Sequence, residues 1–64
     1  MRIKKKILLV EDEKSLSYLI SERLAEESYQ VVSAYDGNEA LQLFQKEKPD
    51  LVLLDVMLPK LDGF

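Results

Sequence analysis

Sixty-four residues bound this chain to one small domain at most, and a hydrophobic content of 47% argues against a disordered segment. The formal net charge of −3 leaves no electrostatic footprint for nucleic acid or for an anionic membrane surface. With no cysteine there is neither a disulfide framework nor thiolate chemistry, and with no histidine the usual general base and commonest metal ligand are gone.

In chain order, the first element is "KKILLVED", an apolar run of strand length between charges. The acids Glu11, Asp12 and Glu13 end that run too soon for a secretory signal, so it reads as a cytoplasmic strand. Lys4, Lys5 and Lys6 are its solvated basic lead-in rather than a binding patch. "KSLSYLISERLAEES" then spaces Leu16, Leu19, Ile20 and Leu24 as one stripe of an amphipathic helix. "YQVVSA" is β-branched and more mixed, as suits a strand near a sheet edge. "YDGNEALQLFQKEK" opens on a turn signal at Asp36-Gly37, and Asp36 and Glu39 have the spacing of a capping box. Ala40, Leu41 and Phe44 give the buried stripe of this second helix, which Pro49 ends. "DLVLLD" is the third strand.

The pattern strand–helix–strand–helix–strand runs without linker, repeat or low-complexity segment. Continuous apolar runs in the first and third strands are the mark of parallel strands covered on both faces. Right-handed crossovers then place the first strand in the middle, in order 2-1-3, with the helices on opposite faces.

In that order the residues following the first and third strands meet at one edge: Glu11 and Asp12 after "ILLV", and Asp55 after "LVLL". Neighbouring strands lie about 5 Å apart. Like charges at that distance repel by roughly 3 kcal/mol per pair at an effective dielectric of about 20, so the cluster should raise carboxylate pKa values or bind a cation. An oxygen-only donor set favours a hard ion such as Mg²⁺. Taken singly, Glu11 or Asp12 would be read as capping the first helix, and Asp55 as a loop acid. Three acids at the carboxyl edge, where open α/β sheets bind ligands, favour a site.

"ILLVEDE", "YDGNEAL" and "LVLLDVMLPKLDGF" together resemble the receiver domain of two-component response regulators. The resemblance implies an α/β, flavodoxin-like, doubly wound parallel sheet whose full strand order is 2-1-3-4-5. Residues 1–64 would be its N-terminal βαβαβ half. It further implies that Asp55 is the phosphoacceptor, taking a phosphoryl group from a sensor histidine kinase or a phosphotransfer protein. Glu11, Asp12, Asp55 and the backbone carbonyl of Met57 match the family's Mg²⁺ ligands. The chain is then a signalling module controlling an output, most similar to those of transcription regulators, rather than an enzyme. Pro59 and Gly63 match the loop after the acceptor strand, where turn chemistry suffices to explain them. Lys14 and Lys60 do not match the family's catalytic lysine, and Asp62 is better explained by a turn with Gly63. Tyr18, Tyr29 and Tyr35 have no basic surroundings that would make them a stacking surface.

The family's phosphoryl-contacting hydroxyl and lysine follow its fourth and fifth strands, so residues 1–64 alone are expected to be a poor phosphotransfer partner. A different expectation is a half-domain interaction module that self-associates by completing a sheet. Its contact would be the strand at Leu51–Val56, which contains no Pro, Gly or Lys to discourage edge pairing. A hydrolase resembling the haloacid dehalogenase group would want an acid where Met57 stands, and that reading is set aside.

Overall fold

The computed structural model describes residues 4–54. β1 spans Lys6–Val10, α1 Lys14–Glu26, β2 Gln30–Ala34, α2 Gly37–Glu47 and β3 Leu51–Leu54. The three strands form one parallel sheet in the order β2-β1-β3, as the apolar runs predict. Asp55 and Met57, the expected continuation of the third strand to Val56, and Pro59, Lys60, Asp62 and Gly63 lie outside the described residues.

β1 is the centre of the core because, among the described residues, it alone has a strand on each side. Ile7, Leu8 and Leu9 are 3%, 1% and 0% exposed, and Ala34 of β2 completes the buried apolar set. Leu8 and Val10 share a face with Val52 and Leu54 of β3, and α2 lies over that side through Ala40, Leu41 and Phe44. Ile7 and Leu9 point to the other face. Right-handed crossovers assign that face to α1, which packs on β1 and β2.

β3 departs from the expectation of a strand covered on both faces. Leu51, Val52, Leu53 and Leu54 are all exposed. Among the described residues β3 pairs only with β1, and no helix packs against it. The second helix differs in the same way. Leu41 and Phe44 are 61% and 49% exposed rather than buried. At about 100° per residue, the half-buried positions Glu39, Ala40, Leu43 and Glu47 form the arc of α2 that faces the sheet, and Leu41 and Phe44 lie on its flank. That flank and β3 border an open apolar groove of ≈ 230 Å³.

On α1 the stripe is also rotated from the expected one. Leu16, Ile20 and Leu24 are half-buried, but Leu19 is exposed and Ser17 is buried in its stead. Ser17 lies only about 20° beyond the arc spanned by the other three, whereas Leu19 lies about 60° outside it on the opposite side.

The helix ends are set by local chemistry. The capping box at α2 is present: Asp36 Oδ1 accepts from the Glu39 N–H at 2.8 Å. Glu39 Oε1 reaches back to the N–H of Tyr35, also at 2.8 Å, one residue beyond the cap itself. At the end of α1, Ser28 takes φ 73°; its N–H donates to Ala25 O and that of Tyr29 to Leu24 O, the pattern of a Schellman exit.

Lys6 is not solvated lead-in. Its Nζ donates to Glu47 Oε1 at 3.0 Å and to the Glu47 carbonyl at 3.1 Å. Its backbone N–H donates to Asp50 Oδ2 at 2.7 Å, while Asp50 N–H returns a bond to the Lys6 carbonyl. A cation at the end of α2 also complements the helix dipole. The amino edge of the sheet is thereby tied together by groups that satisfy one another. No helix among the described residues is long and apolar enough to cross a membrane.

Candidate functional site at the carboxyl edge

The register brings the strand ends level: Val10 lies opposite Ala34 on one side and Leu54 on the other. The last residues of the three strands therefore lie at one edge. Glu11 continues the pairing by one residue, its N–H donating to Ala34 O at 3.0 Å. Its side chain turns inward and is 1% exposed. Oε2 accepts from the Glu13 N–H at 2.8 Å, which fixes the turn from β1 into α1. Asp12, the next residue, is exposed, and no other described residue engages its carboxylate by a hydrogen bond or ion pair.

The capping explanation for these acids is therefore not what the geometry shows. The N-cap of α1 is Glu13, whose side chain makes no capping bond, and the first turn contains no acid. Glu13 contributes its carbonyl to Ser17 N–H at 2.9 Å, and its carboxylate accepts from Ser15 Oγ at 3.3 Å. Glu11 braces the loop ahead of the helix, and Asp12 is left facing outward from it.

Two consecutive acids at a strand end, in a chain with no His or Cys, are oxygen donors of the kind that suits Mg²⁺. Among the described residues no three metal-ligating side chains gather, since the third expected acid, Asp55, lies outside them. Glu11 and Asp12 are brought to the same edge; Asp55 is the residue that follows Leu54 in sequence.

One contact at this edge has no counterpart in the sequence pattern. Lys14, the first residue of α1, carries its ammonium 5.2 Å from the centre of the Tyr35 ring, just past the end of β2. The pairing of Val10 with Ala34 is the available signal, because it sets residue 35 beside the β1–α1 loop.

Residues 7–64 match the family model of the response regulator receiver domain. The chain belongs to that family. Among its relatives, the "Probable transcriptional regulator ycf27" of Cyanophora paradoxa is 57% identical over 95% of this chain and 26% of that protein. The homologue of the same name from Guillardia theta is 50% identical over the whole chain and 25% of its own length. The "Alkaline phosphatase synthesis transcriptional regulatory protein PhoP" of Bacillus subtilis is 56% identical over 92% of this chain and 25% of its own length. The chain thus spans about a quarter of the length of the curated relatives it matches. As a receiver-family sequence it carries "EDE" immediately after β1 and, next in sequence after β3, "DVMLPKLDGF".

Proposed function

We propose that this chain is the N-terminal half of a receiver domain, residues 1–64, whose Asp55 accepts a phosphoryl group from a sensor histidine kinase or phosphotransfer protein. The observation that carries this reading is the register of β1 and β3, which pairs Val10 with Leu54, the residues immediately before Glu11 and Asp55. A carboxylate oxygen of Asp55 attacks phosphorus; the O–P bond forms as the N–P bond of the phosphohistidine breaks, and the imidazole leaves with that electron pair. Asp12 and Glu11, with Asp55 and the Met57 carbonyl, would hold Mg²⁺. The ion, when bound, offsets negative charge on the transferring group. Glu11 orients this edge through its bond to the Glu13 N–H, which spans the loop bearing Asp12.

The relatives' names support control of transcription as the output, exercised by parts of the protein other than this acidic segment; the cytoplasm is the location this reading proposes. The segment itself is a phosphoacceptor with no nucleic-acid or membrane contact of its own. In the full-length protein, a small phosphodonor with Mg²⁺ should add one phosphoryl mass, absent in Asp55→Asn. Residues 1–64 alone should label far less, because charge compensation at the phosphoryl oxygens is expected from the second half. Equal labelling of both by intact mass would show the second half to be dispensable.

A second reading concerns residues 1–64 in isolation, and the exposed edge of β3 beside the apolar groove supports it. Self-association through the strand at Leu51–Val56 would pair that edge and cover the groove. Sedimentation across a dilution series should show concentration-dependent mass that Leu53→Lys abolishes. A monomer at every concentration, indifferent to that substitution, removes this reading and leaves the first intact.

A further inference from the structure

Lys14 occupies a position that helix physics does not favour. A cation at the first position of a helix opposes the macrodipole, and α1 has neither an acid in its first turn nor a side-chain cap to offset it. α2 starts at the same edge with both, so the departure is local to α1. The ammonium is also only two residues from the exposed carboxylate of Asp12 and adjacent in sequence to that of Glu13, either of which could serve as its counter-ion. Yet it lies over the Tyr35 ring, 5.2 Å from the centroid and within the range of a cation–π contact. The ring is itself held. The Tyr35 N–H is bound by Glu39 Oε1, and Tyr35 is half-buried between β2 and the capped start of α2.

We infer that Tyr35 and Lys14 form a positioning pair that sets the cation affinity of the acidic edge: the ring holds the lysine ammonium off Asp12, leaving that carboxylate open to Mg²⁺. The inference rests on the proposed magnesium site. An ammonium on a flexible four-carbon stem and a divalent ion compete for the same carboxylate, and only the ammonium is retained by an aromatic face, because Mg²⁺ surrenders its water to oxygen ligands alone. Tyr35 thus acts on the site through Lys14, and Lys14 acts through its charge.

The test is a calorimetric Mg²⁺ titration of the full-length protein and five variants, with thermal melts to confirm folding. Lys14→Gln should tighten Mg²⁺ binding by about two- to fivefold, the size expected for removing one screened positive charge near a divalent site. Tyr35→Leu should weaken binding by a similar factor, since the released ammonium moves to the carboxylates, and Tyr35→Phe, which keeps the ring, should restore wild-type affinity. In the double variant Lys14→Gln with Tyr35→Leu, the Tyr35 effect should vanish. Both single effects should shrink as ionic strength rises. A loss on Tyr35→Leu that persists without the lysine, or an unchanged affinity in Lys14→Gln, overturns the pairing. Asp12→Ala, the fifth variant, separates the two ideas. If it abolishes binding while Lys14→Gln changes nothing, the magnesium site stands and this inference falls. If it changes nothing, or the wild type takes no Mg²⁺, the site fails and the inference with it.

Discussion

The first turn of α2 contains what the start of a helix requires: Asp36 as N-cap accepting from the Glu39 N–H, Glu39 returning a bond to Tyr35, and an acid near the positive end of the dipole. The first turn of α1, delivered to the same edge by the neighbouring strand, begins with a glutamate that does not cap and a lysine that opposes the dipole. Meanwhile Glu11 braces the loop and Asp12 stands exposed. Both helix starts belong to one fold and face the same solvent, so general requirements of the sheet do not explain the difference. Local rules tend to be broken where a site needs the groups for something else. The start of α2 holds itself together; that of α1 leaves a carboxylate available to a ligand.

Removing each of the two aspartates in turn is the most forceful way to break this comparison. Asp12→Ala should cost the full-length protein more than about tenfold in Mg²⁺ affinity, as expected for loss of a direct oxygen ligand, with little change in unfolding midpoint. Asp36→Ala should do the converse, leaving the ion affinity alone and destabilising by about 1 kcal/mol through loss of the cap. Paired titrations and urea unfolding decide it. If both substitutions shift both quantities alike, the two helix starts differ in appearance only.

Legibility tracks the range of the interactions. "ILLV" and the Asp36–Glu39 spacing can be read directly because a strand's apolar run and a capping box are determined within a few residues. Edge placement of the second strand follows from its mixed composition for the same reason. Lys6 misleads because its partners, Glu47 and Asp50, come from the far side of the chain, and a run of lysines looks solvated until the fold brings an acid to it. Leu41 and Phe44 show the opposite failure: periodicity marks an apolar flank without saying what covers it, and among the described residues the groove beside them is open. Ser17 carries no hydrophobic signal, yet it is buried because its angular position on α1 borders the arc of Leu16, Ile20 and Leu24. At the edge itself, Glu11 and Asp12 can be placed from strand order, whereas the roles of Asp55 and Met57 come only from the family pattern and fall outside the described residues. The Lys14–Tyr35 contact joins the start of α1 to the β2–α2 loop through a long side chain, which spacing alone does not encode.

The smallest expected effect sharpens the comparison by giving α1 what α2 already has. Glu13 is the N-cap of α1 and its backbone is already extended, at φ −94° and ψ 115°, as a cap should be. Its carbonyl already accepts the first helical bond, from Ser17 N–H. Only the side chain is wrong: one methylene too long to fold back on the N–H of Leu16, as Asp36 does on that of Glu39. Glu13→Asp keeps the charge and shortens the reach, so it should stabilise the protein by about 0.5–1 kcal/mol, read from urea unfolding. Mg²⁺ affinity should stay within about twofold of wild type, because the charge at the edge is conserved and Asp12 is untouched. A clear loss of affinity would mean that the uncapped first turn, rather than Asp12 itself, gives the loop the shape that holds the ion. No gain in stability would mean that the open N–H groups of α1 are already satisfied, and that its first turn is as self-sufficient as that of α2.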